Sequence, residues 1–162
     1  MASKLDKLAI CQGLTASELA PLDAIAVESQ LKKGTRLFGE GEAGDALYVV
    51  LSGAVEITKK DQLLATLEAG AAVGEMSLIV EGETRSANAY AQSDVTLIKL
   101  PAASFQKLLV QNDTGALKVV HNLAKVMSRR LSLINDKLVD SLGKKKKEEL
   151  ADFGKILNKW SF

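Results

Sequence analysis

The sequence predicts a mainly β domain, a small barrel or sandwich, with helices before and after it. Between about residues 28 and 100, short apolar runs alternate with glycines, which is typical of short strands joined by tight turns. Apolar residues recur at helical spacing on both sides of this region. The 162 residues are 47% hydrophobic and 25% charged, an ordinary globular composition that suffices for one domain with a buried core.

The residues up to about 27 are predicted to be helical. Thr15 and Glu18 have the spacing of a capping box, in which each side chain accepts a hydrogen bond from the other's backbone N–H. We expect Cys11 to be a buried structural thiol, because free cysteines are usually buried. Two apolar sets support a short helical piece and then a longer helix: Leu5, Leu8 and Leu14, followed by Leu19, Leu22, Ile25 and Ala26.

Six strands are predicted in the central region. The run 47–51 is almost wholly apolar, so we expect it to be buried on both faces. Residues 59–62 are polar and are predicted to form a hairpin tip. The predicted strands are 36–38, 47–51, 55–58, 63–67, 86–91 and 95–100.

The residues after Pro101 are predicted to be helical again, with a break at 111–113 before a long helix over about 114–142. Such a helix would be ~43 Å long. We expect its heptad seam to pair two copies of the chain, although packing on its own domain alone remains the alternative. His121, beside the seam, is expected to be a packing residue rather than a haem ligand. The seam consists of Leu117, Val120, Ala124, Met127, Leu131, Ile134 and Leu138.

Residues 143–162 are predicted to be a basic, amphipathic tail outside the domain of residues 1–142. Gly143 is predicted to end the long helix, because glycine is common just after the last helical residue. The basic run Lys144–Lys147 follows, and the apolar residues between Leu150 and Trp160 have the spacing of a short amphipathic helix. Folding back, docking on a partner and resting on an anionic membrane are the three alternatives. Nearby acidic residues oppose membrane contact, so we favour packing or docking.

Composition excludes several classes of function. Lys4, Asp6 and Lys7 interrupt any apolar core of an export signal, and we expect a cytoplasmic protein. With one cysteine and one histidine the chain cannot form an internal disulfide, a multi-thiolate or histidine metal site, or an iron–sulfur cluster, so we expect no bound metal. No pair of a nucleophile and a base is evident in the sequence, so we do not expect an enzyme. The net charge is only +1, and the basic face of a nucleic-acid-binding protein is missing from residues 1–110.

The segment 74–87, G-E-M-S-L-I-V-E-G-E-T-R-S-A, carries the candidate site. Arg85 is the only basic residue between Lys60 and Lys99, and its guanidinium has the geometry that binds phosphate. A short helix after Gly74 would offer unpaired N–H groups to an anion, and Glu75 could accept a sugar hydroxyl. The alternative is a surface turn in which Arg85 pairs with a nearby glutamate.

With these residues in view, the chain resembles the cyclic nucleotide-binding domain family, in particular the branch of the bacterial cAMP receptor proteins. The resemblance covers about residues 12–142 and depends on the glycine-rich stretch 40–55, on G-E-M-S-L and on R-S-A. It implies a β-roll, a double-stranded β-helix of jelly-roll type, with an N-terminal helical segment and a long C-terminal helix that pairs two subunits and covers the base.

The resemblance also implies a role for each site residue. Arg85 should bind the equatorial phosphate oxygens of cAMP or cGMP, and Ser86, followed by Ala87, should add a hydroxyl bond to the phosphate or the base. Glu75 should accept the ribose 2′-OH, and Gly74 should allow close approach of the backbone. Free N–H groups of Met76 and Ser77 should complete the anion site. Ile134 and Asn135 align with the base-contacting positions, and since only Asn135 can bond a base edge, the choice between cAMP and cGMP stays open.

Only about twenty residues follow the long helix, so we expect no DNA-binding domain. The first hypothesis is a dimeric cyclic-nucleotide sensor, without any other cofactor, that signals to a separate effector protein. The alternatives are a regulatory subunit of an enzyme or channel, and a dimeric scaffold with a weak or degenerate nucleotide site.

Overall fold

The computed structural model describes residues 3–142, and these residues form eight strands and four α-helices. The chain divides into two units, residues 1–123 and 124–162. The strands are β1 (Val27–Leu31), β2 (Arg36–Phe38), β3 (Ala46–Ser52), β4 (Val55–Lys59), β5 (Gln62–Leu67), β6 (Ala72–Val73), β7 (Asn88–Ala91) and β8 (Val95–Pro101). The helices are α1 (Ala16–Ile25), α2 (Met76–Ile79), α3 (Ala102–Val110) and α4 (Thr114–Leu142).

The strands form two antiparallel four-stranded sheets, in the orders β1-β8-β3-β6 and β2-β7-β4-β5. Strand β8 lies between β1 and β3. Its residue Lys99 pairs with Val27 of β1 on one side and with Tyr48 of β3 on the other. All six predicted strands are present. The sequence does not predict strands β1 and β6, and β1 begins at Val27, at the end of the region that the sequence predicts to be helical.

Strand β3 is the centre of the core, as its apolar sequence predicts. Because side chains alternate between the two faces of a strand, Leu47 and Val49 join one apolar cluster and Tyr48 and Val50 join another. The first cluster includes apolar side chains from all four α-helices, and the second includes side chains from strands of both sheets. Burial of both faces of β3 is therefore confirmed.

The N-terminal residues cover the first cluster. Thr15 and Glu18 form the predicted capping box at the start of α1. The segment before it is not an α-helix but a set of turns with a 3-10 helix at Ala9–Cys11, although Leu5 and Leu8 are buried as an amphipathic helix would bury them. None of the helices within residues 3–142 combines the length and apolarity needed to span a bilayer.

The first part of α4 packs in the same cluster through one apolar stripe, Ala116, Val119 and Leu123. Lys118 pairs with Glu18 at 2.7 Å, and a Cβ atom on Gly115 would lie 2.1 Å from the backbone oxygen of Glu18. The beginning of α4 therefore lies in close contact with α1 within the first unit.

In the second unit the structure describes residues 124–142, all of them helical. Leu131 is 52% exposed and Ile134 is 61% exposed. Both belong to the predicted seam, and pairing of two copies through it stays a prediction. The predictions for Gly143, Lys144–Lys147 and the terminal amphipathic helix lie outside the described residues.

Candidate functional site

Helix α2 is a single turn that closes on its own preceding glycine. Gly74 adopts a φ angle of 82°, and its carbonyl oxygen accepts two hydrogen bonds from Ser77, one from the N–H at 3.1 Å and one from Oγ at 2.5 Å. The prediction that the N–H of Ser77 is free is therefore wrong, because this short helix uses that group in its own first turn. Met76, at the start of α2, is 38% exposed.

The glycine-rich loop before β3 holds the backbone of Arg85 from both directions. The N–H of Arg85 donates to the oxygen of Glu42, and the N–H of Gly41 donates to the oxygen of Arg85, both at 2.8 Å. Gly44 donates to Glu83, also at 2.8 Å. The segment before the arginine is thus fixed by a loop about forty residues earlier in the sequence.

The side chain of Arg85 is buried, with only 5% of the residue exposed. Its guanidinium carbon lies 4.3 Å from the ring centre of Phe38 and 5.6 Å from that of Tyr48, within the range of cation–π attraction. Nη2 donates to the backbone oxygen of Ala46 at 2.8 Å and to Oδ1 of Asp45 at 3.1 Å. The alternative of a surface turn in which Arg85 pairs with a nearby glutamate is therefore wrong.

Two features of Arg85 bear on ligand binding. Its Nε is buried and has no hydrogen-bond partner within the described part of the chain. Its Nη1 lies so close to Gly74 that a Cβ atom there would be 2.1 Å away. The structure therefore brings together Gly74 and Arg85, two of the predicted site residues, and among residues 3–142 the buried Nε of Arg85 has no hydrogen-bond partner.

Asp45 was not predicted as a site residue, although it lies in the glycine-rich stretch that carries the family resemblance. Lys99 Nζ donates to Oδ2 of Asp45 at 2.7 Å while Arg85 holds Oδ1. Partial burial raises the pKa of Asp45, but the hydrogen bond from Lys99 and the charges of Lys99 and Arg85 outweigh it, so this pKa lies below its ordinary value. The same hydrogen bond raises the pKa of Lys99.

The other predicted site residues divide between the two units. In the first unit Glu75 is half-buried, Ser86 is exposed and Ala87 is 8% exposed. Ile134 and Asn135 belong to the second unit, where Oδ1 of Asn135 is buried without a hydrogen-bond partner in the described residues. Their contact with a base stays a prediction.

The sequence predicts structural roles for Cys11 and His121. Cys11 is buried as predicted, and burial together with the negative charges of Asp23 and Asp6 raises the pKa of its thiol to about 12. His121 is exposed in the single chain, beside the seam, and its packing role stays a prediction. In residues 3–142, no group of three His, Cys, Asp or Glu side chains could hold a metal ion.

Comparison with known proteins identifies the class to which this fold and site belong. Residues 28–112 match the model of the cyclic nucleotide-binding domain, and the chain therefore belongs to this family. The fold is that of the family's β-roll, which confirms the prediction from the sequence. A cyclic nucleotide-binding domain from Methylobacillus flagellatus superposes with a TM-score of 0.73, covering 82% of this chain and 80% of that one at 24% identity.

Two curated relatives indicate the kinds of protein in which similar domains occur. Glutaminase 1 of Bradyrhizobium diazoefficiens is 35% identical over 137 residues, which cover 84% of this chain and 22% of that protein. The cyclic AMP receptor protein of Thermus thermophilus is 38% identical over 104 residues, covering 61% of this chain and 46% of that protein. The chain thus spans less than half the length of each of these relatives.

Proposed function

We propose that this chain is a cyclic-nucleotide sensor module that binds cAMP or cGMP and signals to a separate effector protein. The observation that carries the proposal is the buried guanidinium of Arg85, whose Nε has no partner in the described residues. An unpaired buried donor costs ~1–3 kcal/mol. A phosphate oxygen at this position would recover that free energy.

The surroundings of Arg85 favour a cyclic phosphate as that ligand. The contacts with Asp45 and Ala46 fix the guanidinium before any ligand arrives, so little rotamer freedom is lost on binding. Gly74 has no side chain, which allows Nη1 of Arg85 to lie against its backbone. We assign the ribose 2′-OH to Glu75 and a phosphate or base contact to the exposed hydroxyl of Ser86.

The signalling part of the proposal uses the long helix. A ligand shifts a conformational equilibrium only through different affinities for the two states. We propose that α4 supplies this difference, with Ile134 and Asn135 near the base and a second copy on the seam. The exposure of Leu131 and Ile134 supports an apolar face that suits a partner.

The chain is proposed to have no catalytic activity, no cofactor other than the nucleotide, and a cytoplasmic location. The match to Glutaminase 1 covers only 22% of that protein, so it lends no support to a glutaminase activity of this chain. The alternative function is a scaffold or regulatory subunit with a weak nucleotide site. One observation favours it, since the carboxylate of Asp45 already pairs with Arg85 at 3.1 Å.

Thermal unfolding and calorimetric titration with cAMP, cGMP and 5′-AMP test the proposal. A ligand present at 100 times its Kd adds ~2.7 kcal/mol of stability. For this chain length the Tm should rise by about 5–11 °C. We expect this rise with a cyclic nucleotide and not with 5′-AMP, and we expect Arg85→Leu to abolish it.

Arg36→Leu is the matched control, because Arg36 also pairs with a carboxylate, that of Glu42 at 2.8 Å, but is half exposed. This variant should keep the ligand-induced rise in Tm. No rise with either cyclic nucleotide in the wild type would contradict the sensor proposal and favour the scaffold. An unchanged affinity in Arg85→Leu would contradict the assignment of the phosphate to this residue.

A further inference from the structure

The carboxylate of Asp45 joins two cations through different oxygen atoms. Oδ1 accepts from Nη2 of Arg85 at 3.1 Å, and Oδ2 accepts from Nζ of Lys99 at 2.7 Å. The side chain of Arg85 is 4% exposed, that of Lys99 is 33% exposed and that of Asp45 is 57% exposed. The buried guanidinium of Arg85 is therefore hydrogen-bonded to the carboxylate of Asp45, and the more exposed ammonium of Lys99 holds the other oxygen of that carboxylate.

Lys99 lies on β8, one of the two inner strands of its sheet. It pairs directly with Tyr48 across β3 and β8, and its Nζ lies 5.7 Å from the ring centre of Tyr48. The same ring lies 5.6 Å from the guanidinium carbon of Arg85. These contacts place Lys99 in the candidate site. In the sequence it is fourteen residues from Arg85 and lies outside the segment 74–87 that predicts the site.

Removal of Lys99 would change how Asp45 can pair with Arg85. A carboxylate prefers to meet a guanidinium with two parallel hydrogen bonds. Since Oδ1 already accepts from Nη2, the second oxygen could take the neighbouring Nε, the atom that has no partner among the described residues. In the structure Oδ2 is instead held by Nζ of Lys99 at 2.7 Å, so a second bond from Nε would have to compete with this one.

We propose that Lys99 is a positioning residue of the nucleotide site, which restrains Asp45 to one hydrogen bond with Arg85 and so keeps Nε available for the ligand's phosphate. This inference rests on the proposed function. It assigns to the ion pair of Lys99 and Asp45 a role in ligand affinity, beyond its small contribution to stability as a partly exposed pair.

Calorimetric titration of cAMP and cGMP into the full chain and its Lys99→Met variant tests this role. We expect Lys99→Met to weaken binding by about three- to tenfold, because an internal carboxylate then competes for Nε. Lys99→Arg, which can still hold Oδ2, should bind within about twofold of the wild type. The control is Lys32→Met, which removes an exposed ion pair with Asp94 at 2.8 Å and should leave affinity unchanged.

A double-mutant cycle with Asp45→Asn separates positioning from a general structural effect. An amide does not compete for a guanidinium as a carboxylate does, so adding Lys99→Met to Asp45→Asn should have no further effect on affinity. If Lys99→Met does not fold, Lys99→Gln replaces it in the same cycle, because glutamine keeps the polarity without the charge.

The results distinguish the inference from the proposed function. If the wild type binds and Lys99→Met binds equally well, the positioning role is refuted and the sensor proposal stands. If Lys99→Met weakens binding equally with and without Asp45→Asn, the effect does not pass through Asp45 and the inference is also refuted. If the wild type binds neither cyclic nucleotide, both proposals fail.

Discussion

Replacement of Gly74 by alanine tests the packing around Arg85 in the proposed phosphate site. A Cβ atom at this position would lie 2.1 Å from Nη1 of Arg85 and 2.9 Å from the backbone oxygen of Ala46. The φ angle of Gly74 is also positive, 82°, which strains any residue with a Cβ atom. Gly70 provides a matched control, because its φ is 90° but a Cβ atom there would meet nothing within 4 Å.

The difference between the two variants isolates the collision with Arg85. The strained backbone costs ~1–2 kcal/mol and should be common to both. In Gly74→Ala, Arg85 must also leave Ala46 or Asp45, and a lost hydrogen bond to a charged group costs ~1.5–3 kcal/mol. We expect Gly70→Ala to lower Tm by about 2–8 °C and Gly74→Ala to lower it by about 5–20 °C.

Calorimetric titration with the cyclic nucleotide completes the test. Gly70→Ala should keep the affinity of the wild type, and Gly74→Ala should lose at least tenfold, since the displaced guanidinium no longer offers Nε in the same place. Equal stability losses in the two variants would show that Arg85 moves aside at no cost. Unchanged affinity in Gly74→Ala would refute the reasoning that Arg85 binds the ligand from its position beside Gly74.

Two further predictions concern the packing of the N-terminal residues. Because the pKa of Cys11 is raised to about 12, the folded state binds its proton more tightly than the unfolded state does. The contribution of the thiol to the free energy of unfolding is therefore complete below the unfolded pKa of ~8.5. As the pH rises above this value, the free energy of unfolding should fall by ~1.4 kcal/mol per pH unit. Urea unfolding from about pH 8 to 11 measures this fall. Cys11→Ala is the control, and an equal alkaline slope in that variant would contradict the attribution to Cys11. Gly115→Ala should lower the free energy of unfolding by ~1–3 kcal/mol despite alanine's better helix propensity, because its Cβ atom would meet the backbone oxygen of Glu18 at 2.1 Å. A gain in stability by urea unfolding would show that α1 and α4 adjust freely.

Much of the β-roll is predictable from the sequence because its core strands have a strong local signal. Strand β3 shows this best, since its apolar run matches its burial on both faces. Strand β1 has no such signal, and Val27 is 52% exposed, so this strand is specified by its pairing with β8 rather than by its own pattern. Strand β6 is only two residues long and is defined in the same way, by β3.

The candidate site could be predicted only in the part that is local in sequence. Gly74 and Arg85 were found because they belong to one short segment. Asp45 and Lys99 were missed as site residues because they are 54 residues apart and meet only when β3 pairs with β8. The bond from Ser77 to Gly74 was missed for another reason, since sequence does not tell which N–H groups a one-turn helix uses itself.

The order of strands in the two sheets has a consequence for synthesis of the chain on the ribosome. Strand β8 lies between β1 and β3 in one sheet, and β7 lies between β2 and β4 in the other. Strands β7 and β8 are therefore the last two strands to be synthesised, although each joins two strands that are made much earlier. Contacts between residues far apart in sequence form slowly, and they cannot form at all before both partners exist. The nascent chain must therefore carry the apolar strand β3 without its central neighbour until residues 95–101 have emerged.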